Sequence, residues 1–239
     1  MKRQQRGTFP RRTSSGAAAL MTMFVFSAAA SATVLTPGTG GQLPDVFPGC
    51  SGCTLLASDN SGFVTGSFNG VVLTVDVVSA VYSDPSNTFG AGKLDFMYQV
   101  TNASRSTDSV GRITATNFAG FLTDVGYTAA GASLPGGLFV NGSIAPGLVD
   151  RNTASTVGFG FAVPPLFALV PPGEASTALI IQTDAAHFTV GQATVIDGKA
   201  ITVGAFGPAV TTGVPEPATL SLLALGLAGV GFMRRRKKN

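Results

Sequence analysis

The chain has 239 residues, a formal net charge of +3 and a pI near 9.1, and its 45% hydrophobic residues make it too apolar for the intrinsically disordered class. Ten of the 15 Lys and Arg residues lie at the two ends, in residues 1–12 and 234–238, whereas the body holds five cations and eleven carboxylates, a net charge of −6. An acidic body excludes nucleic acid as the expected partner.

The first 32 residues have the pattern of an export signal. A basic stretch ends at Arg12, an apolar run covers residues 17–30, and Ala30-Ser31-Ala32 places small residues where a signal peptidase requires them. The apolar run is short for a membrane span, which favours a cleaved signal over an anchor. We therefore predict a signal peptide over residues 1–32, with Ala30 and Ala32 marking the cleavage site.

Residues 33–60 are rich in Gly, Pro, Ser and Asp, and we expect an irregular lead-in there. The segment contains Cys50-Ser51-Gly52-Cys53. In an exported chain, two cysteines predict a disulfide between Cys50 and Cys53. A redox motif would need a helix N-terminus to lower the pKa of the first thiol, and a zinc site would need two further ligands. We therefore predict a structural disulfide and no metal.

Strand patterns dominate the body, residues 61–213. In residues 93–101, Leu94, Phe96, Tyr98 and Val100 alternate with polar or flexible residues, which is typical of a strand with two different faces. Further strands are predicted at 71–82, 113–118, 156–163, 176–183, 187–196 and 200–206. The body holds a single Glu and two Lys, so helix formers for a solvent face are scarce. The prediction is an all-β fold, an antiparallel β-sandwich of Ig-like or jelly-roll-like type.

The last segment, residues 214–239, has three parts in order. Pro215-Glu216-Pro217 comes first, an apolar run over 218–233 follows, and a basic cluster closes the chain. A membrane helix usually needs about 20 apolar residues, so this run is short, but Pro217 suits a helix start and the cations fix its far end. Because positive charge stays on the cytoplasmic side, we predict a transmembrane helix over 218–233 with the body outside.

These three parts resemble the PEP-CTERM sorting signal of exported bacterial proteins, a tail that also carries the name ice-binding protein C-terminal domain. The resemblance covers residues 214–239 and implies nothing about ice. It implies recognition and processing by exosortase, a membrane protease-transpeptidase, in Gram-negative bacteria that make extracellular polysaccharide or biofilm matrix. By resemblance, the recognition residues are Pro215, Glu216 and Pro217, and the stop signal is Arg234, Arg235 and Arg236.

Catalytic chemistry has weak support in the sequence. His187 is the one histidine, and although Asp184 lies nearby, no G-x-S-x-G elbow accompanies them. The carboxylates are dispersed, and no close pair of the kind a glycosidase needs is visible. We predict no catalytic residue and no cofactor.

The leading hypothesis is therefore an exported, non-enzymatic protein of the cell surface or extracellular matrix. Its expected partners are signal peptidase and exosortase, and the membrane through the helix before processing. One alternative is a carbohydrate-binding module for extracellular polysaccharide, although 17 Phe, three Tyr and no Trp suit core packing better than sugar stacking. The other alternative is a secreted hydrolase that uses the scattered carboxylates.

Overall fold

Strands make up nearly all the regular structure of the described residues. The computed structural model describes residues 34–50, 52–163 and 166–210. Within these ranges the chain forms no α-helix, and the only helical element described is a 3-10 turn at Gly131–Ser133. The all-β prediction is confirmed. None of the described helices has the length and apolar character of a membrane span. The predicted signal peptide (1–32) and the predicted transmembrane helix (218–233) lie outside the described residues.

The larger sheet has seven strands. Its spatial order is β1-β7-β12-β5-β4-β2, and β3 also pairs with β4. Its strands are β1 (Asp45–Val46), β2 (Thr54–Asn60), β3 (Val64–Phe68), β4 (Val71–Asp84), β5 (Lys93–Asn102), β7 (Thr123–Thr128) and β12 (Ala178–Thr183).

The smaller sheet has five strands in the order β14-β13-β6-β9-β8. They are β6 (Arg112–Ala115), β8 (Leu148–Arg151), β9 (Val157–Gly160), β13 (Phe188–Ile196) and β14 (Ala200–Pro208). A separate antiparallel pair joins β10 (Ala162–Val163) to β11 (Leu166–Phe167).

The strands predicted from alternating patterns are present. The stretches 71–82 and 93–101 are β4 and β5, each slightly longer than predicted. The stretches 113–118, 176–183, 187–196 and 200–206 correspond to β6, β12, β13 and β14, and 156–163 is divided between β9 and β10.

Two parts of the fold differ from the predictions. An irregular lead-in was expected up to residue 60, but Thr54–Asn60 form β2, because the long strand β4 gives this segment backbone partners from Val78 to Ser83. The expectation of purely antiparallel sheets is wrong at one edge, where β1 runs parallel to β7 with Asp45 opposite Gly126. A parallel pair needs a long crossover, and the chain between β1 and β7 supplies it.

Side chains alternate between the two faces of β5, as predicted. The two faces contribute to different hydrophobic clusters. One cluster lies between the two sheets and includes Leu94, Phe96, Tyr98 and Val100 from β5. The smaller sheet contributes Ile113, Phe159, Val195 and Val203 to this cluster. On the opposite face of β5, Met97 belongs to a second cluster, which we call the outer cluster: Cys53, Ala80, Tyr82, Met97, Leu134, Phe139, Ala178 and Ile180.

Polar contacts also join the two sheets. The Tyr98 hydroxyl on β5 donates to the Phe206 carbonyl on β14, and the Phe206 N–H donates to Ser79 Oγ on β4 at 3.1 Å. Tyr98 is 1% exposed, so this hydroxyl needs a partner inside the protein. Because this hydrogen bond satisfies the Tyr98 hydroxyl, the side chain can be buried in the core between the sheets.

Candidate functional site

A buried pair of carboxylates lies at one end of the β4–β5 hairpin. Tyr82 and Asp95 are directly opposite in the register, and Asp84 follows Tyr82 by two residues, so all three side chains are on the outer face. Asp84 is 2% exposed and Asp95 1%. We call these two residues the carboxylate pair. Charged groups are rarely buried so completely without a partner, which makes the pair the most unusual chemical feature of the described fold.

Hydrogen bonds hold both carboxylates in place. Asp84 Oδ1 accepts from the Ser86 N–H and from Ser86 Oγ, each at 2.7 Å. Asp95 Oδ1 accepts from Asn87 Nδ2 at 2.8 Å. Gln182 Nε2, from the neighbouring strand β12, bridges the pair at 3.1 Å to Asp84 Oδ2 and 3.3 Å to Asp95 Oδ2. The hairpin loop and β12 therefore fix both groups at a short mutual distance.

The electrostatics of the pair favour one bound proton. Burial and, next, the neighbouring charge of Asp84 together raise the pKa of Asp95 to about 8, against the opposing effect of the donors Asn87 and Gln182. Lys93 stands opposite Asp84 in the register, but among the described residues no Lys or Arg lies within 4.0 Å of either carboxylate. At neutral pH, Asp95 therefore retains its proton.

The segment that carries Cys50 and Cys53, which we call the cysteine segment, covers this end of the sheet. Cys50 and Cys53 are joined as a disulfide, with their Cα atoms 5.5 Å apart. Cys53 is 8% exposed and belongs to the outer cluster, while Cys50 is half-buried at its border. The two sulfurs and one oxygen from each of Asp84 and Asp95 all lie within 4.8 Å of one another.

The edge strand β1 anchors the cysteine segment. The Phe47 N–H donates to the Tyr127 carbonyl at 2.9 Å, which extends the pairing of β1 with β7. Gly126 makes this approach possible, since a Cβ there would lie 2.5 Å from the Asp45 carbonyl oxygen and 2.6 Å from the Phe47 ring. A glycine on β7 is thus what allows the segment leading to Cys50 to lie against the sheet.

Two sulfurs and two carboxylates have the composition of a four-coordinate metal site. A thiophilic cation would need both sulfurs as thiolates, and the disulfide consumes both of them. In this oxidised state the four groups do not fit a metal ion.

The other sequence candidates are not brought together. His187 is exposed in the turn between β12 and β13. Asp184, which lies nearby in the sequence, accepts from the Leu122 N–H at 2.9 Å. In the described part of the chain, no hydrogen bond joins His187 to Asp184. The predicted sorting residues Pro215, Glu216, Pro217, Arg234, Arg235 and Arg236, and the cleavage residues Ala30 and Ala32, lie outside the described residues.

Sequence reasoning missed the carboxylate pair. The two acids are eleven residues apart and no motif links them. The available signal was their position, since Asp84 lies two residues after the predicted strand 71–82 and Asp95 lies two residues into the predicted strand 93–101, on either side of a loop with Gly90 and Gly92. Two acids that flank a hairpin loop on one face are expected to meet.

Comparison with known proteins gives one match. Residues 213–237 match the PEP-CTERM protein-sorting motif. No curated protein and no solved structure matches the chain. The motif implies export, a membrane-anchored intermediate and processing by exosortase. The chain is therefore a protein that carries a PEP-CTERM sorting motif, as the resemblance of its last residues implied.

Proposed function

We propose that this protein is a non-enzymatic, exported β-sandwich protein that the exosortase system delivers to the cell surface or the extracellular matrix. The observation that carries the proposal is the sorting motif at residues 213–237, which follows directly on an all-β body. The signal at 1–32 starts translocation, the helix at 218–233 halts it, and processing near Pro215-Glu216-Pro217 frees or transfers the body.

The two sheets support the sandwich architecture. Their inward side chains share one cluster, to which strands β4, β5 and β12 contribute from the larger sheet and β6, β9 and β13 from the smaller one. Sheet-on-sheet packing of this kind is what distinguishes a sandwich from a single open sheet.

The burial of Asp84 and Asp95 argues against the alternative of a secreted hydrolase. A glycosidase also needs two carboxyl groups close together, but they must face a substrate across an open cleft. Asp84 and Asp95 lie close together, but beneath the cysteine segment, where each is at most 2% exposed. No sugar can reach them in this arrangement.

The tyrosines give little support to the carbohydrate-binding alternative. Tyr82 and Tyr98 are buried, and their hydroxyls donate to backbone carbonyls of Pro135 and Phe206. Tyr127 is partly buried against the core between the sheets. A sugar platform needs such rings exposed with a wet polar edge.

Two variants of the full chain test the sorting proposal. Deletion of residues 218–239 should move the protein from the envelope into the soluble export fraction, because the halting segment is lost. Replacement of Pro215, Glu216 and Pro217 by alanine, with the helix and the basic cluster kept, should leave a full-length form in the membrane fraction. Fractionation and mass spectrometry of the termini measure both outcomes. Unchanged fractionation of the deletion variant would refute the proposal.

A further inference from the structure

The two sulfurs of the disulfide have unlike surroundings. Cys50 is half-buried at the border of the outer cluster, whereas Cys53 is 8% exposed and packs within it. In thiol–disulfide exchange, a thiolate attacks one sulfur in line with the S–S bond, and the other sulfur leaves. We therefore take Cys50, the more exposed residue, as the one whose sulfur is attacked and Cys53 as the leaving group.

A buried leaving group needs a proton. A thiolate formed at Cys53 would be an anion in an apolar cluster, which raises its free energy unless it is neutralised. The carboxylate pair lies within 4.8 Å of both sulfurs, close enough for a proton to pass directly or through one water. Asp95 retains its proton at neutral pH for the reasons given above, so the pair is a proton source in the right place.

We propose that Cys50–Cys53 is a redox-active disulfide that exchanges with an external dithiol, and that the carboxylate pair carries the proton that Cys53 gains on reduction. One thiolate of the dithiol attacks Cys50 Sγ, the S–S bond breaks, and Cys53 takes its proton from the pair. The second thiol of the dithiol then displaces Cys50, which leaves protonated by solvent.

The overall reaction is balanced. The protein disulfide gains two electrons and two protons and becomes a dithiol, while the external dithiol loses two electrons and two protons and becomes a disulfide. The carboxylate pair recovers its proton from solvent. In the reverse direction the pair, as carboxylate, removes the proton from Cys53 so that its thiolate can act as the nucleophile.

The groups that face the pair come from strand β12, the hairpin loop and strand β7. Strand β12 presents the neutral Gln182, and the hairpin loop presents Asn87 and Thr88, also neutral. Strand β7 presents Asp124, whose Oδ2 accepts from Thr88 Oγ1 at 3.1 Å.

Strand β4 adds one more titratable side chain on this face. Burial raises the pKa of Tyr82 to about 12, so this phenol stays neutral in the relevant range. Lys93 faces Asp84 across the hairpin without an ion pair. The two sulfurs of Cys50 and Cys53 also face the pair.

The first test concerns which sulfur is attacked. The full chain is prepared as Cys53→Ser and as Cys50→Ser, and each free thiol is reacted with an aromatic disulfide reagent. Because Cys50 is the more exposed, its thiol should react about tenfold faster or more, in line with the dependence of such reactions on access. Equal rates, or a faster reaction at Cys53, would overturn the assignment of roles.

The second test concerns the proton. The rate of reduction by dithiothreitol, expressed per thiolate, is measured from pH 6 to pH 10 for the full chain. The wild-type rate should fall as pH rises through about 8, since the pair then loses its proton. Asp95→Asn should lack this fall and should be about 100-fold slower at pH 7, the lower end of the effect of a positioned proton donor.

Asp76→Asn is the matched control. It lies on the same strand and the same face as Asp84 but bonds to Ser61 instead, so its profile should follow the wild type. A wild-type profile without a fall near pH 8 contradicts the proposal by itself, whether or not the Asp95 variant folds. A profile shared by wild type and a folded Asp95→Asn variant does so as well.

Discussion

Replacing Asp95 with asparagine should remove the pH dependence that this residue gives to folding. The side chain is 1% exposed on β5, and burial together with Asp84 raises its pKa from 3.8 in the unfolded reference to about 8 in the fold. Asparagine has nearly the same shape and no charge. The comparison of the two proteins therefore isolates the cost of ionising this one group inside the protein.

The magnitude follows from proton linkage. Because the folded pKa is the higher one, the native state holds the extra proton between about pH 4 and pH 8. The stabilisation due to the protonated group is fully present below about pH 4 and is lost as pH rises through about 8. At about 1.4 kcal/mol for each pH unit, over about four units, the loss reaches about 6 kcal/mol.

Wild type and Asp95→Asn should exchange their order of stability between pH 4 and pH 8. In Asp95→Asn the new amide N–H₂ faces the donor Gln182 Nε2, which costs about 1–3 kcal/mol at pH 4 for an unsatisfied donor. Above pH 8 the variant should instead be more stable than the wild type by a few kcal/mol, since it has no carboxylate to bury.

Urea unfolding of the oxidised full chain at pH values from 4 to 9 measures both curves. The difference between wild type and Asp95→Asn cancels the titration of the groups that do not interact with Asp95, and Asp76→Asn provides a control with a partly exposed carboxylate. Two parallel curves, with a constant difference across the range, would refute the raised pKa and the reasoning built on it.

Three further predictions concern residues that hold the fold together. Gly126→Ala should displace β1 and Phe47, lower the unfolding free energy by about 1–3 kcal/mol and speed reduction of the disulfide by dithiothreitol. Arg151→Lys should lose about 1–3 kcal/mol in urea unfolding, because one ammonium cannot replace a guanidinium that donates to two backbone carbonyls and to Thr123 Oγ1. Phe96→Ala should lose about 3–5 kcal/mol in the same assay, since its ring is fully buried and packs edge-on against Phe118.

The strands could be predicted wherever their signal is local. Residues 93–101 alternate strictly, and β5 covers them with one residue more. Strand β7 was missed because only Val125 and Tyr127 of Thr123–Thr128 are large apolar residues and a glycine separates them, and the strand is held in place by its pairing with β12. Strand β2 was missed for a similar reason, since it forms against the long strand β4.

The candidate site depends on contacts that no local pattern contains. Cys50 and Cys53 were recognisable as a pair, and the sequence assigned them to each other. Their place above Asp84 and Asp95 requires β1 to run along β7, which is a pairing between distant parts of the chain. The raised pKa of Asp95 is a consequence of that covering, so it could not be read from the residue types alone.

The end of strand β14 limits the space in which the protein can be processed. The strand ends at Pro208, and six residues separate it from Pro215, the first residue of the sorting triplet. Even a fully extended chain would span at most roughly 25 Å from Pro208 to Pro215. With processing at the triplet, as proposed above, the folded body stays within this distance of the processing site, and exosortase needs a narrow approach to the triplet. A longer tether inserted before residue 214 would relax that requirement without changing the motif.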